Sequence, residues 1–157
     1  MYSNKMTKIG FDFGKTIGEV ENENPYKGCY NILKMIVDKL GSENVYIISK
    51  ARVEMKLQIQ EWLVSTDFYS LTGFDIKNLY FVDEYADKRS LVDKLKINIF
   101  VDDSIKVIRY LYDSPHITKL VWLNGNTLLL KEIPRKYRNK ISIPNNWNKL
   151  YKITNFF

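Results

Sequence analysis

The sequence predicts an α/β fold, a doubly wound layer built on a parallel sheet. Five short runs rich in Ile, Val, Phe and Tyr recur along the 157 residues, at 8–13, 45–49, 79–82, 99–103 and 120–123. These runs are apolar at most positions rather than at every second one, as strands covered on both faces are. Between them, apolar residues return at helical spacing, and strand–helix–strand alternation of this kind gives right-handed crossovers.

Each element has a local reason. The first strand, 8–13, runs into polar, glycine-bearing GKTIGEVENENPYKG, which reads as a loop or short flap. From Tyr30 to Leu40 the residues Ile32, Leu33, Ile36, Val37 and Leu40 share one helical face, and Gly41 stops the helix. VYIIS follows as strand two. A second helix over 53–64 aligns Met55, Ile59, Trp62 and Leu63, and FYSLTGFDIKN reads as a connector. LYFV is strand three, a helix around Ser90–Leu95 leads to strand four, and a helix over 105–112 ends near Pro115 before LVWL, strand five. Beyond Asn124 the periodicity fades. LLLKEIP is expected to pack back on the sheet, and Asn145 or Asn146 to cap a helix carrying Trp147, Leu150, Tyr151 and Ile153. One domain over 1–157 is expected, with the segment 124–157 docked on it.

Composition narrows the class. The 45% hydrophobic and 27% charged fractions are ordinary for a soluble globular chain. No run approaches the roughly 18 apolar residues of a membrane helix, and MYSNKMTK has no apolar core of a secretory leader. A single cysteine, Cys29, cannot form an intrachain disulfide and reads as a packed side chain. A cytoplasmic or nuclear setting is expected. Charge is unevenly spread: residues 1–123 carry 17 basic and 17 acidic side chains, whereas the last 34 carry seven basic residues against Glu132 alone. With Tyr137, Trp147, Tyr151 and Phe156 nearby, that segment could hold a nucleic-acid backbone, and salt-sensitive binding would mark it. The alternative is a solvated face with its aromatics packed inward.

Four stretches end apolar runs with polar residues: IGFDFGKT (Asp12, Gly14, Thr16), VYIISK (Ser49, Lys50), ADKRS (Lys88) and INIFVDDS (Asp102, Asp103). In open α/β sheets ligands sit beyond the carboxyl ends of the strands, so these residues can share a pocket. Three carboxylates, a hydroxyl and an ammonium suit a magnesium ion and a phosphoryl group. An aspartate there can attack phosphorus. Asp12, one backbone carbonyl two residues on, at Gly14, and a carboxylate of Asp102 or Asp103 would suffice for Mg²⁺, while Ser49 and Lys88 would meet the phosphoryl oxygens.

In order and chemistry, DFGKT, IISK, DKR and FVDD resemble the motifs of the haloacid dehalogenase-like (HAD) superfamily, across positions 12–103. The resemblance implies a three-layer Rossmann-like fold with strand order 5-4-1-2-3. It also implies Asp12 as nucleophile, Ser49, Lys88, Thr16 and Lys50 around the phosphoryl group, and Asp12, Gly14, Asp102 and Asp103 on Mg²⁺. The expected activity is a Mg²⁺-dependent phosphohydrolase working through an aspartyl phosphate. The family's second aspartate, its general acid and base, is Gly14 here. FYSLTGFDIKNLYFVDEYADK through FVDDS also resembles a HAD-like subgroup with glycine at that place. A good leaving group, a proton from Glu19, Glu21 or Glu23, or a phosphate-binding module with little turnover would each accommodate the glycine. No segment is long enough for a cap domain, which favours an open site and a phosphorylated substrate, macromolecular ones included. Other readings fail: a Walker A loop needs glycine where Ile9 stands, actin-like ATPases need two large subdomains, and a receiver domain carries its acidic residues in another order.

Overall fold

The computed structural model describes residues 7–154. Strands β1 (Ile9–Phe11), β2 (Val45–Lys50), β3 (Leu79–Val82), β4 (Ile99–Asp102), β5 (Lys119–Trp122) and β6 (Ile141–Ser142) form one sheet in the order β3-β2-β1-β4-β5-β6. Every pairing is parallel. The first five strands take the expected order, and the expected five-stranded sheet gains a sixth. β6 was hidden because it is two residues long, too short to show any period. It pairs Ile141 and Ser142 with Leu120 and Val121.

Helices α1 (Cys29–Leu40), α2 (Val53–Ser65), α3 (Phe68–Thr72), α4 (Tyr85–Leu95), α5 (Ile105–Leu111) and α6 (Trp147–Thr154) complete the layers. Alternation along the strands divides the core in two. Ile9, Phe11, Ile47 and Val101 face α1, α2 and α6, whereas Tyr46, Ile48, Phe100 and Leu120 face α4 and α5. Gly10 lies on the second side, where an added Cβ would come within 2.7 Å of the Phe100 ring. A side chain there would push β4 away from β1.

Two elements differ from expectation. α3 occupies part of the expected connector. α4 starts five residues before Ser90, because the Asp87 carboxylate accepts the Glu84 N–H at 3.1 Å and caps the first turn. That earlier start puts Lys88 on α4 itself. At the far end, Asn146 caps α6 by accepting the Lys149 N–H at 2.8 Å, and Trp147 stacks on Phe11 with ring centroids 5.5 Å apart. Among the described residues no cap domain is evident, and no helix is long and apolar enough to cross a membrane.

The basic segment forms two 3-10 stretches, Thr127–Glu132 and Arg135–Lys140. Of its aromatics, Trp147 is buried, and Tyr137, half-buried, lies against Tyr112 with Lys136 and Lys140 over its ring. Phe156 lies outside the described residues.

Candidate functional site

Parallel register builds the site. β1 and β4 are neighbours in the middle of the sheet, with Phe11 opposite Val101. The Asp12 N–H donates to the Val101 carbonyl at 2.9 Å, carrying the pairing one residue past β1. Asp12 and Asp102 therefore leave adjacent strands at the same level, and Asp103 follows. One carboxylate oxygen from each of the three lies within 4.8 Å of the others.

Beneath them, Lys88 on α4 is 1% exposed. Its Nζ donates to Asp12 Oδ1 at 2.9 Å and to Asp102 Oδ2 at 2.8 Å. Burial works against the Lys88 ammonium, but the charges of Asp12 and Asp102 outweigh it and raise its pKa. One ammonium does not balance three carboxylates. Burial, and then the charge of Asp12, raise the Asp102 carboxyl well above the usual carboxylate range, Lys88 offsetting part of this. The same two causes push Asp103 up to about 6. The Ser104 N–H, donating to Asp102 Oδ1 at 3.0 Å, fixes the orientation of the Asp102 carboxylate.

The donor set fits a hard divalent cation. It offers carboxylate oxygens only, close enough to share one ion, with an excess of two negative charges over Lys88 when all three are ionised. Asp12, Asp102, Asp103 and Gly14 all line a cavity of about 660 Å³, with Ser49 and Lys50 on the β2 side.

Two expected residues do not line that cavity. Thr16 is fully buried and does not line the cavity. The N–H groups of Thr16, Ile17 and Gly18 all donate to the Phe13 carbonyl, a tight turn that carries Thr16 inward. There its carbonyl accepts the Trp147 indole N–H at 2.8 Å. Lys88 is likewise absent from the lining, because both its short contacts go to carboxylates from below. It neutralises the floor rather than meeting a ligand across open space.

At Gly14 an added Cβ would meet nothing within 4 Å. Glycine there answers neither a steric limit nor a left-handed backbone; it is Lys15 beside it that takes a positive φ of 55°. Of the flap carboxylates, Glu19 and Glu21 line the cavity and Glu23 does not. Glu19 is held by Asn22, whose Nδ2 donates to Glu19 Oε2 at 2.8 Å, while the Asn22 carbonyl accepts the Trp62 indole N–H at 2.6 Å. A polar stretch that reads as a loose loop is thus pinned to α2. Sequence reasoning missed Lys15, Tyr85 and Lys106 in the lining. Lys106 had a signal, since it falls in the first turn of the helix that follows the acidic pair; Tyr85 had none.

No protein-family model matches the chain, and no curated protein matches it. Among solved structures it is similar to the solution NMR structure of a de novo designed Rossmann 3x3 fold protein. The two share 12% identity at a TM-score of 0.54, over 96% of this chain and 94% of the design. The likeness shows a Rossmann-like three-layer α/β fold.

Proposed function

We propose that the protein is a HAD-like, Mg²⁺-dependent phosphohydrolase in which Asp12 is the nucleophile. The observation that carries this reading is the convergence of Asp12, Asp102 and Asp103, from neighbouring parallel strands, over the buried Lys88 ammonium. The order of motifs along the sequence supports it independently.

In this reading Asp12 Oδ attacks phosphorus, a P–O bond to the leaving group breaks, and a carboxyl–phosphate anhydride forms on Asp12. Water then attacks the same phosphorus, the Asp12–phosphorus bond breaks, and phosphate leaves. Lys88 holds the Asp12 carboxylate in place and offsets its charge. Asp102 and Asp103, with Asp12 and the Gly14 carbonyl, would hold Mg²⁺, which supplies positive charge for the phosphoryl oxygens. Ser49 donates to a phosphoryl oxygen. Gly14 offers no proton to the leaving oxygen, so either that group departs as a stable anion, as from an acyl phosphate, or Glu19 or Glu21 supplies the proton. The absence of an acid at Gly14 also supports a second reading, a phosphate-binding or regulatory module with little turnover.

The test is phosphate release with Mg²⁺ from alkyl esters, acyl phosphates and phosphopolymers, comparing the wild type with Asp12→Asn. A phosphohydrolase loses its activity in the variant and on chelation of Mg²⁺. Equal activity in both proteins would remove Asp12 from the chemistry. Mg²⁺-dependent phosphate binding without release would establish the second reading.

A further inference from the structure

The cavity is much larger than one phosphoryl group needs, and one of its walls is not used by the chemistry above. Lys50 at the end of β2 and Lys106 in the first turn of α5 both reach the ring of Tyr85, which opens α4. Lys50 Nζ lies 4.4 Å from the ring centroid and Lys106 Nζ lies 6.0 Å from it. All three residues line the same cavity as Asp12.

Two ammoniums gathered on one ring repel each other, and cation–π contact leaves their net positive charge in place. Three cations on α4 and α5 have acidic partners: Lys88 has Asp12 and Asp102, Arg89 has Asp93 and Asp113, and Arg109 has Glu132, whereas Lys15 in the same cavity forms no ion pair among the described residues. Among the described residues neither Lys50 nor Lys106 forms an ion pair with a carboxylate. Both are exposed to the solvent that fills the cavity mouth. An anion placed between them would relieve the repulsion and meet two charge-assisted donors. The Tyr85 face is already covered by the Lys50 ammonium, which disfavours stacking of an aromatic ligand and favours a compact anion.

We propose that Lys50, Tyr85 and Lys106 form a second anion subsite, so that the substrate class is a bisphosphorylated compound with one phosphoryl group at Asp12 and the other on the two lysines. The inference rests on the phosphohydrolase reading. Lys50 and Lys106 are then specificity-determining residues, with Tyr85 positioning both.

Mono- and bisphosphates of straight-chain alkanediols test it, because the leaving group stays constant while the spacing varies. In the wild type with Mg²⁺, the best bisphosphate should show a KM about a hundredfold below its monophosphate, as two charged hydrogen bonds at the low end of their range would give. In Lys50→Gln/Lys106→Gln that preference should fall toward one, with the far-ultraviolet spectrum unchanged. A wild-type preference near one, or a preference kept in the double variant, would overturn the subsite while leaving the phosphohydrolase reading intact. If the wild type hydrolyses neither compound, alkyl esters are not its substrates, and calorimetric binding of the bisphosphates with Mg²⁺ decides the subsite. Weaker binding by the double variant would support it; equal or absent binding would overturn it.

Discussion

At the scale of single residues, Gly14 and Lys88 control the site in opposite ways. Open space at Gly14 means that Gly14→Asp should fold, losing about 1 kcal/mol without metal to repulsion from the neighbouring carboxylates. It would restore a proton donor, and such a group typically contributes 10²–10⁴-fold. Hydrolysis of an alkyl phosphate should therefore rise far more than that of an acyl phosphate, whose leaving group needs no proton. Equal rates before and after the change would show that protonation is not what limits turnover. Lys88 compensates two carboxylates where water barely reaches. Replacing it with Met leaves them uncompensated, at a cost of about 3–5 kcal/mol in urea unfolding without metal. Mg²⁺ should recover more stability in that variant than in the wild type. An identical response to Mg²⁺ in the two proteins would argue against one shared cation. The identities of Asp12, Ser49, Asp102 and Asp103 were legible in the sequence, because each ends an apolar run and parallel strands gather such ends at one edge. The inward turn of Thr16 was not, since it depends on three N–H groups converging on the Phe13 carbonyl.

Among the elements, α6 has the longest reach. It closes against the first strand through the Trp147 ring on Phe11, and against the loop after it through the indole N–H on the Thr16 carbonyl. Trp147→Ala should cost about 3–5 kcal/mol, the usual loss for a large buried aromatic. Trp147→Phe keeps most of the apolar contact but orphans the Thr16 carbonyl, so about 1–3 kcal/mol is expected. Urea midpoints of the two variants separate packing from hydrogen bonding, and a Trp147→Phe midpoint equal to the wild type's would mean that the indole N–H contributes nothing. Elements with several apolar positions per turn or run, such as α1, β2 and β3, were readable because each carries its own periodicity. α3 and β6 were not, since five and two residues hold too little pattern and exist through their neighbours. The early start of α4 had a written signal in Glu84 and Asp87, which the weak apolar face of that helix obscured.

For the molecule as a whole, Asp93 ties α4 to the turn that follows α5, accepting from Arg89 Nε of its own helix at 2.7 Å and from Ser114 Oγ at 2.5 Å. Partial burial pushes the Asp93 carboxyl upward, yet the Ser114 hydrogen bond and the pairing with Arg89 outweigh it and hold it below its ordinary range. A depressed carboxyl contributes stability above its unfolded value, near pH 3.9, and loses it as pH falls through the folded value. The cluster is partly solvated and screened, so the contribution stays within about 1 kcal/mol. The urea midpoints of wild type and Asp93→Asn should differ by a constant amount from pH 5 to 7 and converge below about pH 4. A gap that persists at low pH would assign the effect to something other than the charge of Asp93. The closure between Trp147 and Thr16, 131 residues apart in sequence, also has a consequence for biogenesis. While the chain is still being translated, the loop beside Asp12 lacks the indole that holds it. The mouth of the pocket is therefore set only after α6 has cleared the ribosome, and a nascent chain stalled before that point carries the acidic residues without their finished surroundings.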